Sequence, residues 1–240
     1  MSKITQVNHI SVRRSFDRGR SHYDWLDSRH TFSFADYHDP SHMGYRSLRV
    51  INEDVVSPGS GFGMHAHKDM EILTYVIDGS LRHRDSMRHQ TIIASGSLQK
   101  ITAGRGIFHS EYNASDKGPV HFLQVWIMPD RNGLVPGYSE LTLPRPDISH
   151  PMLLIGSSLG GNGETRIEQD VFVYRGVLRK DLTVSHGLGK GRGTWIQVIK
   201  GRVALLGEIL LAGDGAAVED VPELNIGGIQ DSEFLLFDLA

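Results

Sequence analysis

Short runs of apolar residues recur along the whole chain, and almost every one stops at Gly, Pro, Asp or Asn. They include "SLRVIN", "EILTYVI", "LQKIT", "HFLQVWIM", "DVFVYRGVL", "TWIQVIK" and "EFLLFDL". Helix-period patterns are scarce, whereas runs of this length rich in Val, Ile, Leu, Tyr and Phe predict β-strands. The turn chemistry agrees. Asp78-Gly79, Ser95-Gly96, Gly104-Arg105-Gly106 and Lys200-Gly201 stand where one strand has to reverse into the next. The pattern predicts an all-β protein, sandwich or barrel.

Between Pro129 and Pro151 the segment "PDRNGLVPGYSELTLPRPDISHP" is rich in Pro and Gly and lacks alternation, so it reads as a linker. Two β domains follow, 1–140 and 141–240. A weak internal repeat supports the division. "YVIDGSL" (Tyr75 to Leu81) resembles "QVIKGRV" (Gln197 to Val203) at an offset of 122 positions, which carries His65, His67 and Glu71 onto Gly187, Gly189 and Gly193.

Composition narrows the function classes. The formal charge is −3, with Lys and Arg scattered, so there is no basic footprint for a nucleic-acid backbone or an anionic membrane. Cysteine is absent, which removes disulfides and thiolate sites and leaves nitrogen and oxygen as the ligands of any metal. No apolar run approaches the roughly 20 residues that span a bilayer, and the N-terminal residues lack an apolar signal core, so a cytoplasmic protein is expected.

The candidate chemistry lies in "GFGMHAHKDMEILTYVIDG" and "GRGIFHSEYN". Residues two apart on a strand point to the same face, so His65 and His67 can aim both imidazoles at one place, and His109 and Glu111 repeat the spacing. An H-x-H pair alone is equally two polar residues at the mouth of a sheet. A glycine frame surrounds this pair. Gly59 lies six residues before His65, Glu71 four after His67, and Gly79 closes the strand; Gly106 lies three before His109 and Asn113 four after it.

These two frames resemble the cupin motifs G-x5-H-x-H-x3,4-E-x6-G and G-x5-P-x-G-x2-H-x3-N. Two departures stand out: the interval from Glu71 to Gly79 is one residue longer, and Gly104 occupies the proline position. More narrowly, "HTFSFADYHDP", "LRVINEDVV" and "TAGRGIFHSEYN" are similar to the pirin family, in particular its bacterial quercetinase-like branch. The resemblance implies a bicupin, two antiparallel β-barrel or jelly-roll domains of which only the first binds metal. It implies His65, His67, His109 and Glu111 as the ligands, with Glu71 in a supporting role.

Three imidazoles and a carboxylate suit Fe(II) and would also hold Mn, Co, Ni, Cu or Zn. In this branch the implied activity is quercetin 2,3-dioxygenase-like cleavage of a flavonol by O2 with release of carbon monoxide. Glu111 is then the candidate catalytic base for the 3-hydroxyl as well as a ligand. A different class stays open: a redox-sensing iron protein that binds a transcription factor or metabolic enzyme. A monomer is favoured, and neither membrane nor direct nucleic-acid binding is expected.

The other residues near the motifs carry plainer expectations. Phe62, Met64 and Phe108 are expected in the core rather than in an aromatic pocket. His83, His89, His121 and His186 are expected to be solvated or hydrogen-bonded. "GLGKGRG" is not followed by a helical pattern and so is not a phosphate loop.

Overall fold

The apolar runs become strands in a computed structural model that describes residues 9–147, 149–161 and 163–240. In chain order they are β1 (Ile10–Arg13), β2 (Gly19–Tyr23), β3 (Leu26–His30), β4 (Leu48–Val56), β5 (Gly61–His67), β6 (Glu71–Asp78), β7 (Ser80–Asp85) and β8 (Gln90–Ala94). Next come β9 (Ser97–Thr102), β10 (Ile107–Asn113), β11 (Val120–Ile127), β12 (Gly137–Thr142), β13 (Met152–Ser157), β14 (Thr165–Arg166) and β15 (Val171–Leu178). The last seven are β16 (Thr183–Gly187), β17 (Gly193–Lys200), β18 (Arg202–Leu205), β19 (Glu208–Leu211), β20 (Gly215–Val218), β21 (Glu223–Gly228) and β22 (Ser232–Leu239). A single 3-10 turn, Ser15–Asp17, is the only helical element among the described residues, and none is long and apolar enough to cross a membrane. The all-β expectation holds.

The chain divides into two units. The first comprises Asp17–Arg145 and Leu154–Phe172; the second comprises residues up to Phe16, Pro146–Leu153 and Val173–Ala240. A single cut near residue 140 therefore does not describe the grouping. The reason is hydrogen bonding: β1 pairs antiparallel with β20, and in the first unit Asp130 N donates to Glu168 O at 2.7 Å.

In the first unit a sheet of order β12-β9-β6-β11-β4-β3-β2 accompanies a four-stranded sheet of order β5-β10-β7-β8. The expected linker contains β12, whose six residues pair with β9 from Gly137↔Thr102 to Thr142↔Ser97. Proline and glycine hid it. Pro136 and Pro144 flank the strand at the sheet edge, where a missing N–H is tolerated.

The second unit repeats the order. Its four-stranded sheet runs β16-β21-β18-β19, and β1-β20-β17-β22-β15 stand adjacent in the other. The turns repeat too: Gly79 and Gly201 both have positive φ, 77° and 75°. A Cβ there would lie 2.7 Å from Pro119 O in one case and 2.1 Å from Asp231 O in the other, so only glycine fits either turn.

Strand register corrects one part of the repeat. Thr74 pairs with Gln124 as Ile196 pairs with Leu236, an offset of 122 on β6 and β17. On the preceding strand the offset is shorter. His65 faces His109 across β5 and β10, while His186, not Gly187, faces Leu224 across β16 and β21.

Candidate metal centre

Alternation on β5 turns His65 and His67 to the inner face of the four-stranded sheet, and register sets His109 of β10 opposite His65. The three rings form a nearly equilateral triangle. Their centroids are 4.8 Å (His65–His67), 4.5 Å (His65–His109) and 4.8 Å (His67–His109) apart, and one nitrogen from each lies within 4.8 Å of the others.

The protonation pattern suits a cation. His65 Nδ1 donates to Gly63 O at 2.7 Å, which fixes the tautomer and leaves Nε2 as a lone pair. His67 Nε2 and both nitrogens of the fully buried His109 have no hydrogen-bond partner in the protein. Burial, reinforced by the neighbouring rings, pushes His67 down to about 4 and His109 to about 3, so both are neutral at physiological pH. Converging neutral imidazoles with orphaned nitrogens fit a divalent metal and leave its polar demand otherwise unmet.

Glu111 is placed differently from the three imidazoles. Gln99 Nε2 donates to its Oε1 at 2.8 Å, with Thr74 Oγ1 at 3.4 Å, and Gln124 Nε2 donates to its Oε2 at 2.8 Å. Its carboxylate groups by distance with His109 and His83 rather than with His65 and His67. Glu71 is in neither group. It is buried, and its Oε2 takes Lys100 Nζ at 2.9 Å and Glu168 N at 3.1 Å.

Inside the ring of strands, β5, β4, β3 and β11 enclose a cavity of about 420 Å³ whose lining includes His65, His67 and Glu111. Its aromatic walls are Trp25, Phe34, Phe62 and Trp126. Phe62 meets Trp25 edge-on at 5.2 Å, Phe34 meets Trp126 at 5.4 Å, and Trp126 meets His67 at 4.9 Å. A slot of this size, mostly apolar with a few convergent polar groups, is the usual form of a small-molecule site.

Residues 10–127 match the Pirin family, and residues 154–239 match the Quercetinase C-terminal cupin domain. A protein of Escherichia coli strain K12 named quercetin 2,3-dioxygenase is 45% identical over 230 residues, 96% of this chain and 98% of its own. The chain belongs to the pirin family. A pirin-like protein of Caulobacter vibrioides is 35% identical over 230 residues, 95% of this chain and 99% of its own. Among solved structures, the bacterial pirin YhhW from Escherichia coli in complex with nickel(II) superposes with a TM-score of 0.92 at 43% identity, covering 96% of this chain and 98% of that one. The bicupin architecture is shared with these pirins.

The expectation for the flanks of the pirin motifs holds only in part. Phe62 packs against the core beside Trp25 and also lines the cavity, whereas Met64 and Phe108 are each 55% exposed. Phe108 points outward because it sits between the buried Ile107 and His109. Met64 points outward because its neighbour His65 faces inward, and the register shift between His109 and Glu111 breaks the alternation with Phe62. His121 and His186 do make the expected hydrogen bonds, to Glu53 Oε1 at 3.0 Å and Asp238 Oδ2 at 2.9 Å.

His83 is hydrogen-bonded as expected, and it also stands beside the site. It is fully buried, stands opposite Glu111 across β7 and β10, and donates through Nε2 to Asp85 Oδ2 at 3.2 Å. Half-exposed His89 donates to the same oxygen at 2.8 Å, and Tyr138 stacks on both rings at 4.8 and 4.6 Å. "HRD" carried the signal: His83 and Asp85 share the spacing of two that drew attention to His65 and His67.

Proposed function

We propose that this pirin is a metal-dependent dioxygenase of the quercetin 2,3-dioxygenase type, which cleaves the central ring of a flavonol with O2. The products are a depside and carbon monoxide, which together contain every atom of the two reactants. The observation that carries the reading is the aromatic-walled cavity of about 420 Å³ whose lining includes His65 and His67, two of the three converging imidazoles. A purely regulatory iron protein has no need of such a slot.

In this reading His65, His67 and His109 hold the metal, with Glu111 as the fourth ligand, and iron(II) is the ion favoured by the donor set. The bound metal supplies Lewis acidity and the one-electron chemistry that lets O2 react with a closed-shell aromatic. The chain's own groups do the rest. Trp25, Phe34, Phe62 and Trp126 hold the flat substrate and exclude water. Glu111 receives the proton of the 3-hydroxyl, and the Gln99 and Gln124 amides keep its carboxylate aimed while it does so.

The relatives' names support this reading, and they add that a fellow pirin takes nickel(II) at high structural similarity. A second reading rests on a separate observation. The outer face of the ligand-bearing sheet exposes Met64, Ile92, Phe108 and Tyr112, an apolar surface of the kind that protein partners cover. Turnover decides between the two. Protein loaded separately with Fe(II), Mn, Co, Ni and Cu is expected to consume quercetin under air with one carbon monoxide per turnover for at least one metal, and His65→Ala to do so for none. No turnover with any fully loaded metal moves the function to partner binding.

A further inference from the structure

A second carboxyl lines the cavity. Asp54 is on β4, buried, on the same strand face as Asn52 and across from Ser28 on β3. The other polar groups of this wall satisfy one another. His30 Nε2 meets Ser21 Oγ at 2.9 Å, His30 Nδ1 meets Asn52 Oδ1 at 2.8 Å, and Gln124 donates to Glu111. Ser28 hydrogen-bonds the Asp54 carboxyl, yet its Oδ1 finds no partner in the protein.

Only two buried side-chain atoms among the described residues lining this cavity are left in that state, Asp54 Oδ1 and His67 Nε2. The second belongs to the imidazole triangle. The first has no role in folding: an unpartnered buried oxygen destabilises, and an apolar residue of similar shape would pack the wall better. Burial, together with the charges of Glu111 and Glu53 and against the Ser28 hydrogen bond, pushes the carboxyl up to about 7. The unpartnered oxygen matches a phenolic hydroxyl, which can donate to a carboxylate or accept from a carboxylic acid.

We propose that Asp54 binds the substrate: its free oxygen takes a ring hydroxyl of a planar phenol held between the aromatic walls, and so selects the hydroxylation pattern that enters. The inference rests on the dioxygenase reading and deepens it. Aromatic walls alone discriminate poorly between flavonols that differ by a hydroxyl, whereas a buried hydrogen-bonding group rejects the analogue that leaves it unpaired.

The test is binding rather than turnover. Full-length protein loaded with one metal is titrated under argon with quercetin and with flavonols each lacking one hydroxyl, following the fluorescence of Trp25 and Trp126 in the cavity wall. Wild type, Asp54→Leu and the isosteric Asp54→Asn are compared, the last guarding against misfolding of the first, with metal content measured in all three. The expected result is unchanged metal content, quercetin affinity lowered about tenfold or more in Asp54→Leu, and one analogue that binds wild type and Asp54→Leu equally. Asp54→Asn is expected to show the same dependence on that one hydroxyl with a smaller loss. Losses that are absent, or equal for every analogue, in both variants overturn the assignment and leave the dioxygenase reading standing. Absence of quenching by any flavonol in the wild type overturns both.

Discussion

The two units share a strand order and differ in what their strands enclose. In the first, Thr74, Gln99 and Gln124 stand side by side across β6, β9 and β11 and donate to Glu111. The positions that register makes equivalent in the second are Ile196, Ala216 and Leu236, all members of one apolar cluster. His83 opposite Glu111 becomes Leu205 opposite Ile226. His186 occupies the place of His65, but it is tied to Asp238 rather than to a cluster of rings. One fold thus carries a polar interior that requires a ligand and an apolar interior that requires nothing. The difference lies in whole layers of side chains and not only in the ligands.

The comparison breaks most clearly at the metal. His109→Ala is expected to abolish stoichiometric metal binding while leaving the β circular dichroism of the wild type, because the remaining strands are held by their own ladders. Metal analysis of the wild type should give one ion per chain. Two tightly bound ions would show that the second unit is not the inert partner its apolar interior makes it.

A smaller effect sharpens the same contrast. Gln124→Leu installs the residue that the second unit has at the equivalent place and removes the donor to Glu111 Oε2. Metal affinity should fall by about 10–100-fold, the range for partners that orient a ligand, and competition with a chelator of known affinity measures it. Undiminished affinity would mean that Glu111 needs no such support or does not touch the metal.

The smallest effect concerns Asp238. Burial alone would raise its carboxyl, but hydrogen bonds from His186 and Arg192 outweigh burial and hold it below the ordinary carboxylate range. A folded-state value below the unfolded one stabilises above about pH 4, and that contribution is lost as the pH falls through the depressed value. Melting curves should therefore show Asp238→Asn below wild type at pH 6, with the gap closing towards pH 3. A gap that widens in acid would reverse the sign.

What the sequence showed was local. Strand identity followed from apolar runs, and the imidazole triangle followed from two H-x-H-like pairs within a glycine frame, because spacing on one strand determines which side chains share a face. What it concealed depends on pairing between distant strands. Thr74 reaches Glu111 across 37 positions, and Asp54 enters the cavity only because β4 lies beside β3 and β11. Tyr138 and the strand that bears it were obscured by flanking prolines. His83 could have been found, since His83-x-Asp85 has the strand spacing already in use, but nothing local announces that β7 runs beside β10.

The short strand β1 bears on the order of events during folding. Its partner β20 ends at Val218, and beside this pairing His9 meets Glu219 across 210 positions. The sheet edge at Gly215–Val218 is sealed only when segments about 200 positions apart have met, a closure of high sequence separation and so a slow one. Once sealed, β20 has no free edge to offer another chain. Trimming the residues ahead of Arg14 would reopen that edge, and the cost would appear as self-association during refolding before any loss at the metal.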